Sequence, residues 1–170
     1  MRVPSALLCI AALVGVPGMR AAATTVDHDQ RATLETWLKR NPQYRPATES
    51  DCDCDEDIAT MRKSGPFGTP IPDYVPYFMA GDFRKNGASA FAVLVVRTGG
   101  RESGGDRLLI LDGPFSAAGK QPALSKDIGS IKHVGLFKTH GENYPLLGQF
   151  FSEGCSYAPK GQTYVEDCGK

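Results

Sequence analysis

The chain has 170 residues, with 19 Lys or Arg against 19 Asp or Glu, 41% hydrophobic residues and five cysteines. Balanced charge without a basic stripe excludes the electrostatic footprint of a nucleic-acid binder, and there is no polybasic run for an anionic lipid surface. No apolar run approaches the roughly 20 residues that a helix needs to cross a bilayer.

The first segment, MRVPSALLCIAALVGVPGMRAAA, has an early cation at Arg2, an apolar run from Ala6 to Val16, and a small-residue end in which Ala21 and Ala23 fit signal peptidase. This predicts a secretory signal over residues 1–23, cleaved after Ala23 and taking Cys9 with it. Subtracting 23 from 170 leaves 147 residues, 24–170, a length that suits one domain with one core. Losing Arg2 and Arg20 leaves 17 basic residues facing 19 acidic ones. The expected location is periplasmic or secreted, and no membrane span remains after cleavage.

Four cysteines stay behind: Cys52, Cys54, Cys155 and Cys168. An even number in an exported chain reads as two disulfides. A Cys52–Cys54 bridge would span a single residue, which usual disulfide geometry disfavours. The expectation is therefore that both bridges run from the first pair to the second, closing loops of roughly 100 residues worth about 4 to 5 kcal/mol. A four-thiolate zinc site would need wider ligand spacing and a reducing compartment, so no metal and no other cofactor is expected.

In chain order, Val26 to Arg40 carries Leu34, Trp37 and Leu38 at helical spacing, with Asp27 or Asp29 as N-cap and Asn41-Pro42 as stop. Trp37 reads as a core anchor. A second helix opens in ESDCDCDED, where Asp53 and Glu56 resemble a capping box and Cys54, Ile58 and Met61 share one face. An EF-hand loop starting at Asp51 is excluded, because Glu56 stands where a Gly is needed and Arg62 where a Glu is needed. Residues 64–76, SGPFGTPIPDYVP, form an irregular extended connector.

Strand patterns follow at residues 77–83, 90–98, 107–112, 131–138, 145–152 and 162–166. The runs AFAVLVV and RLLILD are apolar on both alternating faces, which predicts central strands covered on both sides. Between them GGRESGGD reads as a hairpin loop, since it lacks the G-K-[ST] of a phosphate loop. The fold class expected is α+β: two N-terminal helices together on one side of a mainly antiparallel sheet of about five or six strands, stapled by disulfides.

The stretch YFMAGDFRKNGASAFAV, residues 77–93, resembles the GDFNGDGxxDFAV hairpin of the FG-GAP and VCBS type, which also occurs singly in small exported bacterial proteins of unassigned function. Further likeness to that group lies in DCDCDEDIATMR, LLILDGPF and KGQTYVEDC. The resemblance implies a calcium loop whose positions fall at Asp82, Arg84, Asn86 and Gly87. Here Arg84 replaces an oxygen ligand and Ala90 a carboxylate, so the loop is read as a metal-free remnant in which Arg84 pairs with Asp82. A single copy does not make a propeller.

No G-x-S-x-G, H-E-x-x-H or Ser-x-x-Lys motif is present. His140 with Glu142 in THGEN, and His133 nearby, is the best candidate base and orienter. The functional expectation is an exported non-catalytic binding or inhibitor-like module whose partner is an envelope or extracellular protein. Two alternatives are a small hydrolase around His133, His140 and Glu142, and a calcium-dependent module through Asp82 and Asn86.

Overall fold

The computed structural model describes residues 27–66, 68–99, 105–115, 120–138 and 142–169. The expected signal segment, the tip of the glycine-rich hairpin and His140 lie outside these residues.

Helix α1 (His28–Arg40) starts at Asp27, whose N–H donates to Gln30 Oε1 at 3.0 Å. It ends where Asn41 returns both its backbone N–H and its side-chain amide to the Trp37 carbonyl, before Pro42 blocks a further turn. Its buried stripe is Gln30, Thr33, Leu34 and Trp37. Helix α2 (Asp55–Lys63) carries acidic residues in its first turn and Arg62 and Lys63 in its last, matching the helix dipole. Its N-cap is Cys54, not Asp53 as the capping-box pattern predicts. Asp53 instead takes a left-handed φ of 60° and turns the chain into the helix.

Among the described residues, nine strands form two antiparallel sheets. The first is built on β3 (Ala90–Arg97), flanked by β4 (Asp106–Asp112) and then β5 (Leu124–Gly129). Two short strands share the other edge of β3: β1 (Tyr44–Pro46) along its end and β2 (Phe78–Gly81) along its beginning. The second sheet is a meander of β6 (Val134–Lys138), β7 (Pro145–Gln149), β8 (Gly154–Lys160) and β9 (Thr163–Asp167). The α+β class and the helices preceding the sheet stand. The strands are divided between two sheets because β5 and β8, which the hydrophobic pattern does not mark, each supply another partner.

The alternation in β3 and β4 sorts the core into two layers. Phe91, Val93, Val95, Leu109 and Leu111 face α1 with Trp37 and Tyr44. Ala90, Ala92, Leu94, Leu108 and Ile110 face the interior between the sheets, where Ile58 and Met61 of α2, Leu136 of β6, Tyr157 of β8 and Tyr164 of β9 meet them. The helices thus cover opposite faces of the first sheet, which corrects the expectation that both lie on one side. The connector after α2 explains it: residues 68–76 bring Tyr74 onto the interior face and bury it there. Fully buried aliphatic side chains such as Leu94, Leu108 and Ile110 each contribute about 1.5 to 3 kcal/mol.

Both disulfides are local, and this overturns the crossed pairing expected from the sequence. Cys52 bonds Cys54, their Cα atoms 5.2 Å apart, because the left-handed Asp53 bends the chain back far enough. Cys155 bonds Cys168. In the β8–β9 hairpin Ser156 pairs with Asp167, so the next pair outward is Cys155 and Cys168. That register is set by the two-residue turn Gly161-Gln162, which needs a residue at φ 58° and has Gly161 there.

Candidate functional site

The two sheets enclose a common interior and meet at two seams. At one, the edge strands β5 and β9 are bridged by side chains. Thr163 Oγ1 donates to the Ala123 carbonyl at 2.9 Å, and Lys126 pairs with Glu166 at 2.6 Å. The two ties share the same offset along the chain, so the strands run parallel here. Arg84, from the β2–β3 loop, completes the seam. Its Nε meets Asp112 at 2.9 Å, its Nη1 donates to the Gly161 carbonyl at 2.6 Å, and its guanidinium lies 4.7 Å from the Tyr164 ring centroid. Tyr164 donates its hydroxyl to the other Asp112 oxygen at 2.5 Å, and burial pushes that phenol's pKa up.

The other seam, between β2 and β6, is apolar. Tyr74 stacks on Phe137 at 5.8 Å, and both meet the edge of Phe150. The Tyr74 hydroxyl donates to the Leu136 carbonyl, and the Leu136 N–H donates to the Pro76 carbonyl at 2.7 Å. Past that contact β2 and β6 form no ladder, although they stay close, and a groove of about 580 Å³ is lined by residues of both. Met79, Phe137 and Met61 contribute to its walls. Ile71 and Val75 stand at its rim with 39% and 38% exposure, high for branched aliphatic residues. Lys138 lies at the groove and is exposed.

The residues singled out in the sequence are dispersed around this frame. The Asp82 carboxylate accepts the N–H groups of Asn86 at 3.1 Å and Gly87 at 2.7 Å, and these bonds, that of Gly87 foremost, lower its pKa. Asn86 Oδ1 accepts the Ala88 N–H. The loop closes on the Asp82 carboxylate through its own amides, with Gly87 at φ 79° providing the bend. Arg84 does not pair with Asp82 as expected, because in the turn after Gly81 its side chain reaches Asp112 on β4. His133, at φ 58°, has its N–H on the Cys52 carbonyl, whereas Glu142 forms an ion pair with Lys85. The two stand in different surroundings.

Two polar clefts complete the surface. One, of about 500 Å³, has Arg84, Asp112 and Lys120 in its lining. The other, of about 590 Å³, contains Asp106 and Asp127. Asp106 accepts the N–H groups of Arg97 and Ile131, and Asp127 those of Gly105 and Gly129. These carboxylates serve as backbone acceptors that fix loops, the role a general base would have to give up. Among the described residues, one group has the ligand spacing of a metal site: Cys155, Cys168 and Glu166, two of which are bonded to each other.

The apolar seam escapes sequence reasoning because its parts come from the connector, β2 and β6, none of which is amphipathic in an unusual way. The available signal is Ile71 and Val75, aliphatic residues inside an otherwise turn-forming stretch. Comparison with protein-family models, curated proteins and solved structures yields no match to this chain.

Proposed function

We propose that this protein is an exported, non-catalytic binding module, periplasmic or secreted, whose ligand occupies the groove between β2 and β6. The observation that carries the reading is an aromatic-floored groove rimmed by exposed Ile71 and Val75 at a junction where two strand edges are left without partners. Two disulfides suit an oxidising compartment, and no helix among the described residues is long and apolar enough to cross a membrane. The partner class favoured is an envelope or extracellular protein. The hydrolase reading has less support, since no contact joins His133 to Glu142, and the calcium reading has less, since amides occupy the Asp82 carboxylate.

The test uses the apolar dye anilinonaphthalene sulfonate with the folded protein. Saturable fluorescence enhancement is expected, and it should disappear in the double variant Ile71→Ser with Val75→Ser. Both positions are exposed, so the double variant should keep its stability to within about 1 kcal/mol. Absence of dye binding, or binding indifferent to the two substitutions, would remove the groove as the site.

A further inference from the structure

The two disulfides stand in opposite surroundings. Cys52 and Cys54 are 0% and 4% exposed, and their sulfurs lie 3.8 Å from the Val134 carbonyl and from the Tyr77 hydroxyl. They belong to the interior cluster with Ile58 and Met61. Their backbone is fixed as well, since the Cys52 carbonyl accepts the His133 N–H and the Cys54 carbonyl accepts that of Ile58. The second bridge is different at each of these points. Cys155 is half-buried against the cluster and Cys168 is exposed. Their bridge closes the open end of the β8–β9 hairpin, one position beyond the last ladder pair, Ser156 with Asp167. Thiol–disulfide exchange starts with a thiolate attacking one sulfur, so access decides which bridge reacts and at which end.

We infer that Cys155–Cys168 is an exchangeable disulfide, opened in the folded protein by a protein dithiol of the Cys-x-x-Cys class that attacks Cys168, while Cys52–Cys54 stays oxidised. The inference is independent of the groove between β2 and β6. In the first step the attacking thiolate forms a bond to Cys168 Sγ as the bond to Cys155 Sγ breaks, and the electron pair leaves on Cys155, which takes up a proton. In the second, the other thiol of the dithiol attacks its own sulfur in the mixed disulfide and expels the Cys168 thiolate, which is protonated in turn. The dithiol departs oxidised, and the protein has gained two electrons and two protons. The Cys155 thiol remains sheltered against the cluster and opposite Cys168, so the reverse exchange with an oxidised dithiol closes the same bridge again. Opening it has a consequence at the charged seam. Glu166, two residues before Cys168, reaches Lys126 across the seam and accepts the Tyr157 hydroxyl. Once the bridge is open, β9 frays from that end and the Lys126–Glu166 contact loosens with it.

The probe is dithiothreitol, added in short pulses to the native protein, with free thiols quenched by iodoacetamide and located by peptide mapping. Cys155 and Cys168 should be labelled together, at least about tenfold faster than Cys52 and Cys54, under conditions where the β3 and β4 amides stay protected from exchange. Glutathione used in place of dithiothreitol should leave its trapped mixed disulfide on Cys168. In the single variants, the Cys168 thiol of Cys155→Ser should take up glutathione from its disulfide about fivefold faster than the Cys155 thiol of Cys168→Ser. Hydrogen exchange at the end of β9 should quicken in the protein with this bridge reduced and alkylated. Equal labelling of all four cysteines, earlier labelling of Cys52 and Cys54, or reduction that keeps pace with global unfolding across a urea series would overturn the inference, and the wild-type protein suffices for each. Glutathione trapped on Cys155 would refute the assigned point of attack, and unchanged exchange along β9 would refute the coupling to the seam.

Discussion

The two seams where the sheets meet solve the same geometric problem with opposite chemistry. Each brings together two edge strands that do not complete a hydrogen-bonded ladder. Between β5 and β9 the gap is crossed by side chains: Lys126 to Glu166, Thr163 to the Ala123 carbonyl, and Arg84 to Asp112 and Gly161. Between β2 and β6 the crossing is made by Leu136, which bonds the Pro76 carbonyl and the Tyr74 hydroxyl, and between the loops that follow these strands by Lys85 with Glu142, and an apolar groove lies beside them. A sheet edge that is latched by charges is protected from further pairing, and one that is left beside an apolar groove is open to a ligand. The stability of the β5–β9 junction and the accessibility of the β2–β6 junction are therefore separable properties.

The largest way to break the comparison is at Arg84. Its side chain and that of Asp112 are 18% and 19% exposed, so the pair is mostly removed from water, and deleting the guanidinium leaves Asp112 with the Tyr164 hydroxyl alone. Arg84→Ala should cost about 3 kcal/mol in urea denaturation, because a largely buried charge loses its partner. Arg84→Lys should recover less than half, since a point charge cannot reach Asp112 and Gly161 together. Dye binding at the other seam should be unchanged in both variants. A loss of Arg84 that costs less than about 0.5 kcal/mol would show that the latch is decorative.

This role for Arg84 was not legible in the sequence. The calcium-loop pattern drew attention to Asp82, two residues away, whereas the actual partner is on β4 and the carbonyl it reaches is on the β8–β9 turn. Side chains that join two sheets depend on how the sheets stack, which no local pattern encodes. The central strands were legible because β3 and β4 are apolar on both faces and have no other stable placement. Helix α1 was legible from its stripe and its stop. By contrast β1 is three residues ending in Pro46, and β5 alternates only between half-buried and exposed positions, so neither carries enough hydrophobic contrast to be read. The cysteines teach a different lesson. The geometric objection to a Cys52–Cys54 bridge favours long-range pairing, but counting outward from Gly161-Gln162 as a hairpin turn puts Cys155 opposite Cys168, a signal present in the sequence and stronger than that objection.

A smaller effect sharpens the contrast through pH. Lys126, and after it the Tyr157 hydroxyl, lowers the pKa of Glu166 below its ordinary value of 4.5. A carboxylate depressed in the folded state contributes stability that is present above its unfolded pKa and is lost as pH falls through the folded one. The wild-type protein should therefore lose stability below about pH 4.5, and Glu166→Gln should remove part of that dependence. Lys126 and Glu166 are partly exposed, so the share is at most about 1 kcal/mol. Dye binding at the apolar seam should not follow the same titration. Equal acid sensitivity in wild type and Glu166→Gln would place the acid-labile contacts elsewhere.

The most direct measurement is residue-resolved amide hydrogen exchange of the free protein along β2. Met79 donates into the β3 ladder, while the neighbouring Ala80 faces the unpaired edge. The Ala80 amide should exchange orders of magnitude faster than that of Met79, under conditions where the β3 and β4 amides remain protected. Protection of Ala80 equal to that of Met79 would mean that the edge is already paired, and the reading of the apolar seam as the open, receptive one would be contradicted.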